Sequence, residues 1–322
     1  MPRGPPAWGP VAGRIRRDGY PGCVPHRQIE LDGPLDLTRT LFPVRRGTGD
    51  PTFRIEAATA AWATRTPDGA ATVSVHQVAV DRVEAVAEGP GAEIALDRTA
   101  GVVGALDDPA AFVPRDEVLG RLARVHRGVR LPSTGDVLPA LIAAICEQKV
   151  TGARARRSWR ALVRATSEPA PGSAGLWLPP DLDRLSALPS FDFHRADIEG
   201  RRAGVLREVA RRAPQLERLA SSGPDEMDSV LQRLPGIGRW TSAEVKRIVL
   251  GDPDAISVGD FHVPNLIAWA LAGEPRADDA RMLELLEPYR GQRGRVQRLL
   301  EASDIRAPRW GPRADVGSIA GF

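Results

Sequence analysis

The chain is poor in cysteine, lysine and long apolar runs, and each shortage removes a class of function. Its two cysteines, Cys23 and Cys146, are far apart and fall in different predicted domains, so no disulfide framework is expected. The five histidines, His26, His76, His126, His194 and His262, show no metal-ligand spacing. A catalytic metal is therefore not expected. No Gly-Lys-Ser/Thr phosphate loop occurs, which argues against a nucleotide cofactor. No apolar run is long enough to cross a bilayer. The Pro/Gly-rich opening MPRGPPAWGPVAGRIRRDG lacks the apolar stretch of a signal peptide, so a cytoplasmic, nucleoid-associated location is expected. Lysine occurs only at 149 and 246, and the remaining basic residues are arginine. Arginine suits bidentate phosphate contact, and it equally reflects a GC-rich genome.

What the chain does have is enough length for two cores and an uneven charge. At 322 residues with a net charge of +3, residues 1–114 hold 12 basic against 14 acidic side chains and residues 115–322 hold 32 against 27. The positive excess sits in the second part. Residues 1–25 read as a flexible N-terminal segment. Residues 26–114 read as a small antiparallel α+β domain, with strands near 27–31, 53–57, 61–65, 72–77 and 83–87 and a helix capped by Asp36. From about Asp107 the pattern turns helical, giving an all-α domain over 115–301 and a flexible tail over 302–322. The fold class expected is α+β, a sheet domain followed by a larger helical one. Within the helical part, Arg154, Arg157, Arg160 and Arg164 share one flank, read as a solvated basic face in preference to a DNA contact.

Chemistry concentrates between Leu231 and Pro264. Pro235 stops one helix, Gly236 and Gly238 bracket Ile237, and Arg239 begins another helix. Glycines here permit positive φ and leave no Cβ between a phosphate and the amides of the next helix. Such a hairpin holds a DNA backbone without reading sequence. The bland alternative is an ordinary helix-turn-helix corner. One helix later, Val258-Gly259-Asp260 delivers a carboxylate, which is also placed to cap the following helix.

Hairpin, helix, acidic loop and Asp260 together resemble the helix-hairpin-helix DNA glycosylase superfamily, and Pro235 to Thr241 (Pro-Gly-Ile-Gly-Arg-Trp-Thr) resembles bacterial 3-methyladenine DNA glycosylase II. The likeness extends over Leu119 to Gln148 and Arg201 to Leu206. It implies base excision repair, with a damaged base flipped from double-stranded DNA and its N-glycosidic bond hydrolysed. Asp260 is then the catalytic carboxylate that stabilises an oxocarbenium-like transition state and orients water. Trp240 and Glu244 become base-pocket residues. Gln148, Lys149, Gly236, Ile237, Gly238, Arg239 and Thr241 become DNA-binding residues, one protein per duplex. The resemblance also implies a backbone potassium or sodium site near Leu234 and Ile237, with no other cofactor. The iron–sulfur cluster of some relatives is excluded, since no cysteine follows Cys146.

The resemblance carries further implications at Trp240, Lys149, Glu244 and Glu301. Trp240 occupies the place where strand-cleaving relatives carry a lysine, which points to a glycosylase without lyase activity. Lys149 stands where glycosylase II has an apolar wedge, and Glu244, with Glu301 on the last helix, replaces expected aromatics. An alkylated purine, 3-methyladenine first, is the expected substrate, and other damaged bases stay open. The competing readings are a non-enzymatic hairpin DNA-binding protein and a lyase that uses Lys149.

Overall fold

The computed structural model describes residues 25–308. All but Pro25 of the segment expected to be loose over 1–25, most of the tail over 302–322, and Cys23 lie outside the described residues.

Alternating small and β-branched residues build a five-stranded antiparallel sheet from β1 (His26–Glu30), β2 (Phe53–Glu56), β3 (Thr59–Thr66), β4 (Gly69–Ala79) and β5 (Arg82–Glu88), in the order β1-β5-β4-β3-β2. In β5 the alternation buries Val83, Ala85 and Ala87 and exposes the residues between. Phe53 and Trp62 are direct cross-strand partners, with rings stacked at 5.7 Å. Helix α1 (Leu37–Leu41) starts where Asp36 accepts from the amide of Arg39.

Against the sheet lies α2 (Ala92–Val102), which the sequence pattern did not separate from the strands. Its buried face is Ala92, Ala95, Leu96, Thr99 and Ala100. Small residues let the helix approach the sheet closely, and they give little of the apolar contrast by which an amphipathic helix is recognised.

The remaining chain is helical: α3 (Glu117–Val125), α4 (Val137–Glu147), α5 (Gly152–Thr166), α6 (Leu182–Ala187), α7 (Ser190–Arg195), α8 (Gly200–Arg211) and α9 (Ala213–Glu217). It continues through α10 (Pro224–Gln232), α11 (Arg239–Val249), α12 (Val263–Ala272), α13 (Asp279–Leu286) and α14 (Arg293–Ala302). These helices bury two apolar clusters. One is centred on α4, buried from Leu138 through Cys146 apart from Pro139, and takes in α5 through α11. Burial there pushes the Cys146 thiol up to about 12, so it is an inert core residue. The other cluster joins α3 to α12, α13 and α14. The loop carrying Asp260 runs between the two.

Polar ties fix the sheet to the helices. Arg130, 1% exposed, donates to the carbonyls of Asp32 (2.5 Å) and Pro34 (3.2 Å), and its own amide donates to Thr40 Oγ1. Trp159 Nε1 of α5 donates to Asp50 Oδ1 at 2.9 Å. Part of the basic flank of α5 is likewise spent internally. Arg154 and Arg157 pair with buried Asp197 at 2.9 and 3.4 Å, and Arg164 lies 4.1 Å over the Trp177 ring. Arg164 stays exposed as expected, but Arg154 and Arg157 also anchor the helix, because Asp197 supplies a partner that spacing along one helix cannot reveal.

Candidate active site

The hairpin between α10 and α11 is held from inside by apolar side chains. Leu234 and Ile237 are buried, and the amide of Ile237 donates to the Leu234 carbonyl at 3.0 Å. Gly236 has φ +89, and a Cβ there would sit 2.5 Å from Val205 Cγ2 of α8. Both the dihedral and the packing require glycine. Gly238 precedes α11 in an extended conformation with open space around it, and no side chain caps the helix. The first amides of α11 are therefore left without a side-chain cap.

Among the residues expected to touch DNA, the structure separates backbone from side-chain roles. Arg239 is exposed, whereas the side chains of Ile237 and Thr241 point inward. Gln148, at the end of α4, donates from Nε2 to the Gly236 carbonyl and to Thr241 Oγ1, both at 2.9 Å. It clamps the hairpin onto the buried helix. Lys149 follows directly, exposed and in a left-handed conformation (φ 54). Such a φ is costly for a residue with a Cβ, so the turn projects this side chain at the expense of local strain.

Asp260 arrives through a tight turn. Its amide donates to the Ser257 carbonyl at 3.2 Å, and Gly259 (φ 92) takes the turn position that needs positive φ. The carboxylate divides its work. Oδ1 accepts from the amides of His262 (2.7 Å) and Val263 (2.9 Å) at the start of α12, and Oδ2 accepts from Trp240 Nε1 at 3.2 Å. One oxygen thus holds the start of α12 and the other holds the indole. Trp240 and Asp260, brought together by the hairpin and the turn, form the centre of the site.

One turn beyond Trp240 on α11, Glu244 accepts from Ser257 Oγ and from Arg247 Nη1 (2.9 Å). Arg247 Nη2 reaches Glu301 Oε2 on α14 at 2.7 Å, and Gln297 Nε2 donates to Glu301 Oε1 (2.7 Å) and Ser257 Oγ (2.9 Å). The two glutamates that replace expected aromatics are therefore joined through one arginine. Burial alone would raise the Glu301 pKa, but Arg247 and Arg298 hold it below its ordinary value. Glu147 behaves oppositely: burial raises it, more than the attraction of Arg46 lowers it, with Glu244 adding repulsion. Arg46 of the sheet domain reaches Glu147 at 3.3 Å.

Sequence reading missed Ser257, Arg247, Gln297 and Glu147 as members of this cluster. Only the spacing of Glu244 and Arg247, three apart on one helix, was a usable signal. Among the described residues no cluster of His, Cys, Asp and Glu could hold a metal ion.

No protein-family model matches the chain, and no curated protein matches it by sequence. Solved structures do match its fold. The 3-methyladenine DNA-glycosylase from Archaeoglobus fulgidus superposes with a TM-score of 0.73 at 18% identity, over 85% of this chain and 96% of that one. MBOgg1 in complex with a low-affinity DNA ligand gives 0.70 at 14%, over 90% and 97%. The 8-oxoguanine glycosylase/lyase of Clostridium acetobutylicum, solved with double-stranded DNA, gives 0.64 at 14%, over 90% and 96%. The chain has the fold of the helix-hairpin-helix DNA glycosylases.

Proposed function

We propose that this protein is a DNA glycosylase of base excision repair that hydrolyses the N-glycosidic bond of a flipped, damaged base without cleaving the strand. The observation that carries the reading is the divided carboxylate of Asp260. Two helix amides hold Oδ1, while Oδ2 accepts from the Trp240 indole N–H. An ionised carboxylate there stabilises positive charge developing on the deoxyribose and orients the attacking water. The uncapped start of α11 grips a phosphate, which fixes the duplex while the target nucleotide turns out. A fold shared with glycosylases supports this assignment of roles.

The absence of lyase chemistry is part of the proposal. Lys246 is tied to Asp228 (3.5 Å) and Asp252 (3.8 Å), and the only other lysine of the sequence is the exposed Lys149. An alkylated purine, 3-methyladenine first, is the proposed substrate, with the Trp240 face available for cation–π attraction. A potassium or sodium ion on the carbonyls of Leu234 and Ile237 would add positive charge behind the phosphate site. The neighbouring Gly236 carbonyl is already committed to Gln148.

The test is a panel of lesion-bearing duplexes scored for free base, with borohydride present in a parallel set. Free base without a trapped covalent adduct is expected. An adduct on abasic DNA would transfer the chemistry to a lysine, and no base release from any duplex would leave a DNA-binding protein.

A further inference from the structure

We infer that Ser257 is the positioning residue of Asp260, and that it sets the carboxylate against α11, the helix that leaves the hairpin. The inference rests on the glycosylase reading and deepens it, by naming what holds the reacting group in place.

Ser257 is 1% exposed, and its polar groups are all engaged. Its carbonyl accepts from the Asp260 amide at 3.2 Å, and its own amide donates to Gln297 Oε1 of α14 at 3.1 Å. The hydroxyl oxygen accepts from Gln297 Nε2 (2.9 Å) and from Arg247 Nη1 (3.3 Å). Those two nitrogens can only donate, so the hydroxyl proton goes to the remaining partner, Glu244 Oε1. One proton and two lone pairs are all that a hydroxyl has, and here each is used. A buried serine satisfied in this way is held in direction as well as in place.

Helix α11 grips the turn at both ends. Trp240 Nε1 donates to Asp260 Oδ2, and Glu244, four residues further along the same face, accepts from Ser257 Oγ. The two grips stand about 6 Å apart along the helix axis. On its other side the turn is tied by the Gly259 amide, which donates to Asp279 Oδ1 of α13 at 3.0 Å. Because α11 begins at the hairpin, the amides that face a phosphate and the carboxylate that faces the sugar are referred to one rigid helix. An apolar residue at 257 would fill the same space and fix no direction.

The experiment is a double-substitution cycle between Ser257 and Asp260. Base release is followed with enzyme in saturating excess over duplex DNA methylated with dimethyl sulfate, well below the melting temperature of every variant. S257A is expected to slow release by about tenfold, the scale of a displacement of less than 1 Å, with affinity for undamaged duplex unchanged. In a D260N background the same substitution should slow the residual release by less than about twofold, because the group that Ser257 positions is gone. A serine that served only the fold would slow both backgrounds alike. Equal slowing in the two backgrounds, or a parental rate in S257A, would overturn the inference and leave the glycosylase reading intact. Should S257A fail to fold, S257C keeps the bulk and a weak donor, and its slowing must likewise disappear with D260N; if it persists there, the inference falls. A D260N protein as fast as the parent, or a parent that releases no base, would overturn the glycosylase reading and the inference together, and both are seen before any Ser257 variant is made.

Discussion

Single side chains at the site have two employments each, and that duality decides what substitutions do. Gln148 is the clearest case, since one amide nitrogen satisfies both the Gly236 carbonyl and Thr241 Oγ1. Gln148→Ala is expected to destabilise the fold by about 1 kcal/mol, the usual worth of a half-exposed hydrogen-bonded group. Its larger effect is a loosened hairpin and weaker DNA binding, checked by denaturant midpoint and by fluorescence anisotropy with undamaged duplex. Unchanged affinity would mean that the clamp does not hold the phosphate site. The pairing of Trp240 with Asp260 was within reach of sequence reading, because hairpin and acidic turn stand at opposite ends of one short helix. The union of Glu244 with Glu301 through Arg247 was not, because Arg247 and Glu301 lie 54 positions apart and only the tertiary fold brings them together.

At the scale of elements, glycine and small residues set how closely helices approach. The hairpin can pack on α8 only because Gly236 has no Cβ to meet Val205. Gly236→Ala is expected to cost about 2 kcal/mol through positive φ and overlap together. Adding Val205→Ala relieves the overlap and leaves the φ strain, so the melting temperature should recover in part. Full recovery would show that φ carries no penalty. Strands, α1 and the helices after α2 were legible from alternation, capping and 3.6-residue periodicity. Helix α2 was hidden because its buried face is made mostly of small residues, and the partners of the α5 arginines were hidden because Asp197 and Trp177 lie elsewhere in the chain.

Across the whole molecule, buried ion pairs tie together segments that lie far apart in sequence. Arg295 of α14 pairs with Asp107, which also accepts from the Leu131 amide at 3.0 Å, so the last helix is tied to the segment that leaves the sheet. Glu301 offers a check through pH. Its folded pKa lies below the ordinary glutamate value, so its charge stabilises the fold above the unfolded pKa of about 4.3 and is lost as pH falls through the folded value. The stability difference between the parent and Glu301→Gln should be constant above about pH 6 and shrink below about pH 4. Chemical denaturation across that range measures it, and a difference that grew on acidification would reverse the assignment.

Asp260 is proposed to perform chemistry beyond capping α12, and one substitution separates the two roles. Asparagine caps a helix about as well as aspartate and can accept the same two amides through its carbonyl oxygen, while carrying no charge. The decisive measurement is single-turnover base release by Asp260→Asn on an alkylated duplex, with melting temperature and DNA affinity recorded on the same protein. The prediction is a folded variant that binds DNA like the parent and releases base at least about a hundredfold more slowly, the scale set by losing a charge aimed at the transition state. Release at the parental rate would contradict the account and leave Asp260 as a helix cap.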